Sequence, residues 1–403
     1  MPVIDVAPLA GAWPAAGDDA RRRACIEAIA DACARVGFFH ALGHGVDERV
    51  QARTLRAASD FFALPAERKE RIANARSYCF RGYVRQGLEN TAGVPDEREQ
   101  IEFGREEPPV DPAAGAQHYE RLRGPNQWPE ERDVPGFREA ISDFARRMTT
   151  LGEQLTRAIC AGLGRAGAYG VEVGGDDASD ARRLERLFDG AHLQWKVCKY
   201  PLLGGAGDDA RASPSGVGSH ADSGFLTLLV QDCVGGLQAQ LDDGGWVDVA
   251  PVPGSVVVNM GEMLQLASAG RVRATVHRVI RRRASEVPAG AAPDGARLSA
   301  PFFYNPRLDA PVGAELLGPG SGGGAGGGGG GGSAPLALYG ENAEGSSRAQ
   351  SVARTLFSCP QAMCTTRSLR TCGCTSAHAT LCAWHCPAHW RARTGVRRRV
   401  GRR

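Results

Sequence analysis

Two histidines, one aspartate, one arginine and one serine stand out by type and spacing. Ser219-His220-Ala221-Asp222-Ser223-Gly224 sits directly before the apolar run Phe225–Gln231. A His and an Asp two apart at a strand edge are expected to face one side, because side chains alternate along a strand. Both can then reach one metal ion. A further histidine, His277, follows 55 residues after Asp222 in the strand-like stretch Ala274–Ile280. That interval allows several strands between them, so the third ligand would come from a neighbouring strand. Two imidazoles and one carboxylate on one face leave three coordination positions open, a set suited to Fe(II) and dioxygen chemistry. Zinc is more often held by a closed tetrahedral set, or by three ligands and one water.

Farther along, Arg297 and Ser299 are again two apart. A planar guanidinium takes a carboxylate through two parallel hydrogen bonds, and a nearby hydroxyl can add a third. A dicarboxylate could bind the metal at one end and meet Arg297 and Ser299 at the other.

Positioning these residues calls for many short strands. Apolar or alternating runs occur at 193–200, 225–231, 237–240, 246–249, 255–259, 276–280 and 298–304, with Gly, Pro, Asp and Asn between them. Such a series predicts an antiparallel sandwich or barrel. Upstream, 3–6 and 38–40 read as strands, and 18–36 and 50–64 as helices. After Pro135, Phe137, Ile141, Phe144, Met148, Leu151, Leu155 and Ile159 recur in steps of three and four, the apolar face of a long core-facing helix.

The chain has 403 residues, enough for a sizeable core. Its formal charge of +3 is close to balance and argues against a nucleic-acid or membrane-surface protein. No apolar run approaches a membrane span. Met1–Gly11 lacks the basic-then-apolar pattern of a secretory signal, so a cytoplasmic location is expected. Cys25, Cys33, Cys79, Cys160, Cys198 and Cys233 are scattered singly and read as buried apolar fillers.

Taken in order, these motifs resemble the isopenicillin N synthase-like group of 2-oxoglutarate/Fe(II)-dependent dioxygenases. H-x-D at His220, the distal His277 and R-x-S at Arg297 follow the order of that family. Pro2–Asp5, Gly37–His40, His44–Val46, Phe61-Phe62, Arg81–Tyr83, Glu99–Gly104, Tyr200-Pro201, Gly235–Gln238, Trp246–Val249, Val258–Glu262 and His277–Val279 add to the likeness, which covers about residues 1–315. The resemblance implies a mainly β protein with flanking helices: a double-stranded β-helix, or jelly roll, with an N-terminal α/β region. It implies His220, Asp222 and His277 as iron ligands and Arg297, Ser299 and Tyr200 as the 2-oxoglutarate site. It further implies Fe(II), with 2-oxoglutarate and dioxygen as co-substrates, and a small-molecule substrate that is hydroxylated or desaturated as 2-oxoglutarate becomes succinate and carbon dioxide. Phe303 would be a core phenylalanine or line the substrate pocket, and His44 would be structural. A same-fold oxidase that uses no 2-oxoglutarate, an inactive binding module and a hydrolytic zinc enzyme are the competing readings.

The corresponding domain reading is 1–125 for the N-terminal region, 126–190 for the scaffold helix and its connection, and 191–315 for the jelly-roll core. A Gly-rich linker, 316–333, leads to a disordered tail, 334–403. Two departures from the family pattern stand out. The interval from His277 to Arg297 is about twice the usual length, and the extra residues, Arg281–Arg283 and Pro288–Pro293 among them, read as a solvent-loving insertion at a hairpin tip. After Tyr339–Asn342 the composition turns to Arg, Ser, Thr and Cys, which reads as translation in another frame or a mispredicted exon; a tail peptide found by mass spectrometry would refute this. The tail's Cys372, Cys374, Cys382, His385, Cys386 and His389 lack paired zinc spacing.

Overall fold

Residues 225–231 and 255–260 carry apolar side chains on both faces, and a strand of that kind must be covered on both sides. The computed structural model shows how. It describes residues 1–11, 20–91, 93–110, 117–163, 185–204, 215–291 and 295–312, and the backbone of 337–338. The chain divides into two compact units, Met1–Arg354 and Thr355–Arg403. The described residues all belong to the first, and most of the linker and tail reading falls outside them.

The strands are β1 Val3–Asp5, β2 Phe38–Leu42, β3 Gly82–Val84, β4 Asn90–Thr91, β5 Val94–Pro95, β6 Glu99–Gly104 and β7 His192–Pro201. They continue with β8 Ser215–His220, β9 Leu226–Gln231, β10 Leu237–Gln240, β11 Trp246–Asp248, β12 Val256–Met260, β13 His277–Ile280 and β14 Ala296–Asn305. The helices are α1 Ala20–Arg35, α2 Glu48–Phe62, a single turn α3 Ala66–Lys69, α4 Phe137–Leu163 and α5 Glu262–Ala267.

A large sheet runs in the order β1-β2-β12-β9-β14-β7-β6-β3, and a small one in the order β11-β10-β13-β8. Only β1–β2 is parallel within them. Alternate residues of each central strand serve two cores. Leu228, Val230, Val256, Val258 and Met260 pack with the helices, as do Trp195, Val197, Phe302 and Tyr304. Leu229, Val257, Cys198 and Tyr200 turn the other way and meet Val217, Leu237, Ala239 and Val279 of the small sheet. This second, smaller core is the interior of a jelly roll.

The predicted stripe of α4 is buried along its length, from Phe137 to Ile159, and anchors the helical layer. α2 begins at Asp47, whose carboxylate accepts the Arg49 backbone N–H at 2.7 Å, an N-cap worth about 1 kcal/mol. Three sequence readings need correction. β8 was not foreseen, because Ser215-Gly-Val-Gly-Ser-His220 holds little apolar signal. Arg281 is not solvent-loving: it is buried and donates to the Pro201 and Leu202 carbonyls, although 283–286 and 288–290 are exposed. Cys233 is exposed, whereas the other five cysteines of the first group are buried.

Candidate metal and co-substrate site

His220 closes β8, and directly opposite it on β13 stands His277. Their ring centroids lie 4.4 Å apart. Asp222 is not on the strand with His220, as alternation had suggested; it lies in the turn beyond it. That turn is shaped by close packing. The backbone N–H groups of Gly261, Glu262 and Met263, at the start of α5, donate to the carbonyls of Phe225, Asp222 and Gly224. A Cβ on Gly261 would stand 2.1 Å from the Gly224 oxygen, so only glycine permits this approach. Gly224 in turn leaves room for Asn305, whose side-chain oxygen accepts the Phe225 N–H at 3.0 Å.

Each of the three side chains has one atom committed and one free. Nδ1 of His220 is 2.9 Å from the Gly218 carbonyl, and Nδ1 of His277 is 3.1 Å from that of Thr275. A carbonyl can only accept, so both Nδ1 atoms carry the proton and both Nε2 lone pairs are free. Asp222 Oδ2 accepts from Thr227 Oγ1 at 2.5 Å and from Asn259 Nδ2 at 2.8 Å. Its Oδ1 faces the two Nε2 atoms, each 3.7 Å away. The three residues offer ligand atoms within 4.8 Å of one another, the one such His/Cys/Asp/Glu group among the described residues.

Electrostatics match this set. Burial, then His277 beside it, lowers the His220 pKa to about 4, so the imidazole is neutral and able to ligate at ordinary pH. Burial works against an ionised Asp222, yet the two imidazoles and the Thr227 and Asn259 hydrogen bonds prevail and hold its pKa low.

A second polar group lies on the same inner face. Arg297 is buried at 2% exposure and pairs across the sheet with Tyr200. Its Nη1 points to Ser299 Oγ at 3.4 Å, its Nη2 donates to Gln231 Oε1 at 3.0 Å, and its guanidinium lies 5.0 Å from the centre of the Tyr200 ring. Burial, with Cys198 next to it, raises the Tyr200 pKa and keeps the hydroxyl protonated. Thr227, which supports Asp222, and Gln231, which supports Arg297, share β9 four residues apart, about 13 Å at strand spacing. Phe303 is on the Arg297 face of β14, paired with Thr227. His44 lies away from this group: its Nε2 meets the Gly254 carbonyl at 2.8 Å and its Nδ1 accepts from Val46 at 3.0 Å, a structural role.

Comparison with known families decides what kind of protein carries this arrangement. Residues 1–131 match the N-terminal model of the non-haem dioxygenase in morphine synthesis, and 194–306 match the model of the 2OG-Fe(II) oxygenase superfamily. A 2-oxoglutarate-dependent dioxygenase of Gibberella zeae is 33% identical over 316 residues, 76% of each chain. The chain belongs to the 2-oxoglutarate/Fe(II) oxygenase superfamily. It is therefore an oxidoreductase that depends on Fe(II) and 2-oxoglutarate, and the jelly roll is that of its family. This oxygenase is also 31% identical to a homoarginine-6-hydroxylase of Glycine max, covering 77% of this chain and 87% of that one. Among solved structures it resembles the rice dioxygenase for auxin oxidation, with a TM-score of 0.52, 29% identity, and 77% and 84% of the two chains covered. A full-length Neurospora crassa protein in complex with alpha-KG and 5-formyluracil gives a TM-score of 0.60 at 25% identity, covering 77% and 86%.

Proposed function

We propose that His220, Asp222 and His277 hold the iron of this oxygenase, and that Arg297, Ser299 and Tyr200 receive the far carboxylate of 2-oxoglutarate. The observation that carries this reading is the commitment of every other polar atom of the three ligands. Two Nδ1–H groups are bound to carbonyls and Oδ2 to two donors, which leaves two Nε2 atoms and Oδ1 converging. Such supports fix the tautomer and aim of metal ligands. The donor set fits Fe(II): borderline imidazoles, one hard oxygen, and no thiolate.

Bound iron supplies the activation of dioxygen that couples decarboxylation of 2-oxoglutarate to oxidation of the substrate. The protein's part is orientation. Arg297 offers a buried positive charge for a carboxylate, Ser299 Oγ and the protonated Tyr200 hydroxyl can add donors, and Gln231 steadies the guanidinium. Phe303, on the same face, would meet the substrate, a small organic metabolite that is hydroxylated or desaturated.

The test is anaerobic loading with Fe(II) and 2-oxoglutarate, followed by succinate release on admitting oxygen, in wild type, His220→Ala and Arg297→Ala. We expect slow, iron- and oxygen-dependent succinate in wild type. His220→Ala should lose iron, and Arg297→Ala should keep iron but bind 2-oxoglutarate at least tenfold more weakly. Iron bound equally well by His220→Ala would overturn the ligand assignment, and unchanged 2-oxoglutarate affinity in Arg297→Ala the co-substrate assignment.

A further inference from the structure

Arg98 lies just before β6, on the face of that strand that also carries Gln100 and Glu102. By register Gln100 stands opposite Cys198 and Glu102 opposite Lys196 on β7, so Arg98 falls beside Tyr200. Its Nη1 donates to the Tyr200 hydroxyl oxygen at 3.4 Å. Its Nη2 donates to Glu89 at 2.7 Å and stands 3.2 Å from Asp96. The Arg98 side chain is 15% exposed, and the Glu89 and Asp96 side chains 5% and 2%. A guanidinium and two carboxylates held this far from water are costly to desolvate and are weak evidence for a stabilising role. Their placement points elsewhere.

All three belong to the segment 85–98, which folds back as the hairpin β4–β5 and reaches β8 at two points. Glu97 N–H donates to the Gly216 carbonyl at 3.0 Å. Thr91 packs on Gly218 so closely that a Cβ there would come within 3.1 Å of it. Gly218 is the residue whose carbonyl orients His220. One segment thus touches the strand that aims a metal ligand and, through Arg98, the tyrosine beside Arg297. A phenol oxygen that accepts from Arg98 has its own O–H left to donate, and the approach of Arg98 limits where that O–H can turn.

We propose that Arg98 is a positioning residue for 2-oxoglutarate: it fixes the Tyr200 hydroxyl as a donor toward the co-substrate carboxylate, and Glu89 and Asp96 hold it there. The proposal rests on the assignment of Arg297, Ser299 and Tyr200 to the co-substrate. It names Arg98 as acting through Tyr200 and not by contact with the co-substrate.

The test is a double-mutant cycle on the Mn(II)-loaded full chain, with 2-oxoglutarate binding read by titration calorimetry and Mn(II) binding by electron paramagnetic resonance. Arg98→Lys keeps a cation against Glu89 and Asp96 but cannot reproduce the forked contact. We expect it to weaken 2-oxoglutarate about tenfold while Mn(II) affinity stays within twofold. Tyr200→Phe should do the same, and the double variant should be no weaker than Tyr200→Phe alone, since coupled residues fail to add. Glu89→Gln, which loosens Arg98 without touching Tyr200, should give a smaller loss that also vanishes in the Tyr200→Phe background; it replaces Arg98→Lys in the cycle should that variant not fold. Losses that multiply in the double variant, or an affinity change under twofold in both single variants of the 85–98 segment, would sink the proposal. Arg297→Ala is the control: if it also binds 2-oxoglutarate normally, the co-substrate assignment itself has failed; if it does not, only the role of Arg98 has.

Discussion

Asp222 shows how much of the proposed metal site is made by residues that would never touch the metal. Its Oδ2 is taken by Thr227 and Asn259, which leaves Oδ1 to face the histidines. Replacing Asn259 by Ala should free the carboxylate to turn and lower Fe(II) or Mn(II) affinity by about 10- to 100-fold, the usual range for such supporting groups. A competition titration with a metal chelator measures it directly; unchanged affinity would mean that Thr227 alone suffices. The three proposed ligands, Arg297 and Ser299 were legible as candidates from their types and order, and Tyr200 only through the family resemblance. Asn259 fell within the family-like run Val258–Glu262 without a role, and Gln231 and Arg98 were not visible as site residues. Their importance depends on which strands pair, and a linear pattern does not contain that information.

The strand expectations at 193–200, 237–240 and 298–304 coincide with β7, β10 and β14 to within two residues: β7 and β14 are densely apolar, and Leu237-Gln-Ala-Gln240 alternates buried and half-buried residues. β8 and the β4–β5 hairpin left little: β4 is Asn-Thr, β5 is Val-Pro, and β8 is mostly Ser and Gly with Val217 its one apolar side chain, so they owe their form to neighbours. The turn between β8 and β9 is equally dependent on its surroundings. Gly261→Ala should force the start of α5 away from the Gly224 carbonyl. We expect a stability loss of about 1–3 kcal/mol, typical of overpacking, together with a loss of metal affinity as Asp222 moves. Denaturant titration and metal titration on the same variant would reveal both. A fully stable Gly261→Ala that binds metal normally would contradict the close approach.

Burial of histidines sets how the whole molecule answers to acid. Burial, then Arg81, Arg105 and Arg123, depresses the His192 pKa to about 3, and burial also lowers those of His40 and His44. The unfolded chain takes up protons near pH 6.5, whereas the folded chain keeps the His192 ring neutral down to about pH 3. Stability from His192 is therefore fully present above about pH 6.5 and falls as pH drops toward 3, by up to about 1.4 kcal/mol per pH unit, and His40 and His44 act in the same direction. Melting temperatures between pH 7 and 4 should decline, and His192→Gln should flatten the slope; an identical slope in that variant would remove His192 from the explanation. Thiols differ in the same way. Burial raises Cys25 to about 11 and Cys33 to about 12, whereas Cys233 is exposed. Among the described cysteines, iodoacetamide on the native protein should label Cys233 first, as peptide mass spectrometry would show.

The segment between His277 and Arg297 has a buried root at Arg281 and an exposed stretch at 288–290. Arg281 holds the carbonyls of Pro201 and Leu202, the Leu202 N–H returns to Gly295, and 288–290 are exposed. Both ends of that root adjoin the cross-strand pair of Tyr200 and Arg297. A fluorophore on an Ala289→Cys side chain in a Cys233→Ser background would report from the exposed 288–290 on the pair proposed to take 2-oxoglutarate. Emission that shifts on titration with 2-oxoglutarate would tie this segment to that pair, and unchanged emission would show the two to be independent.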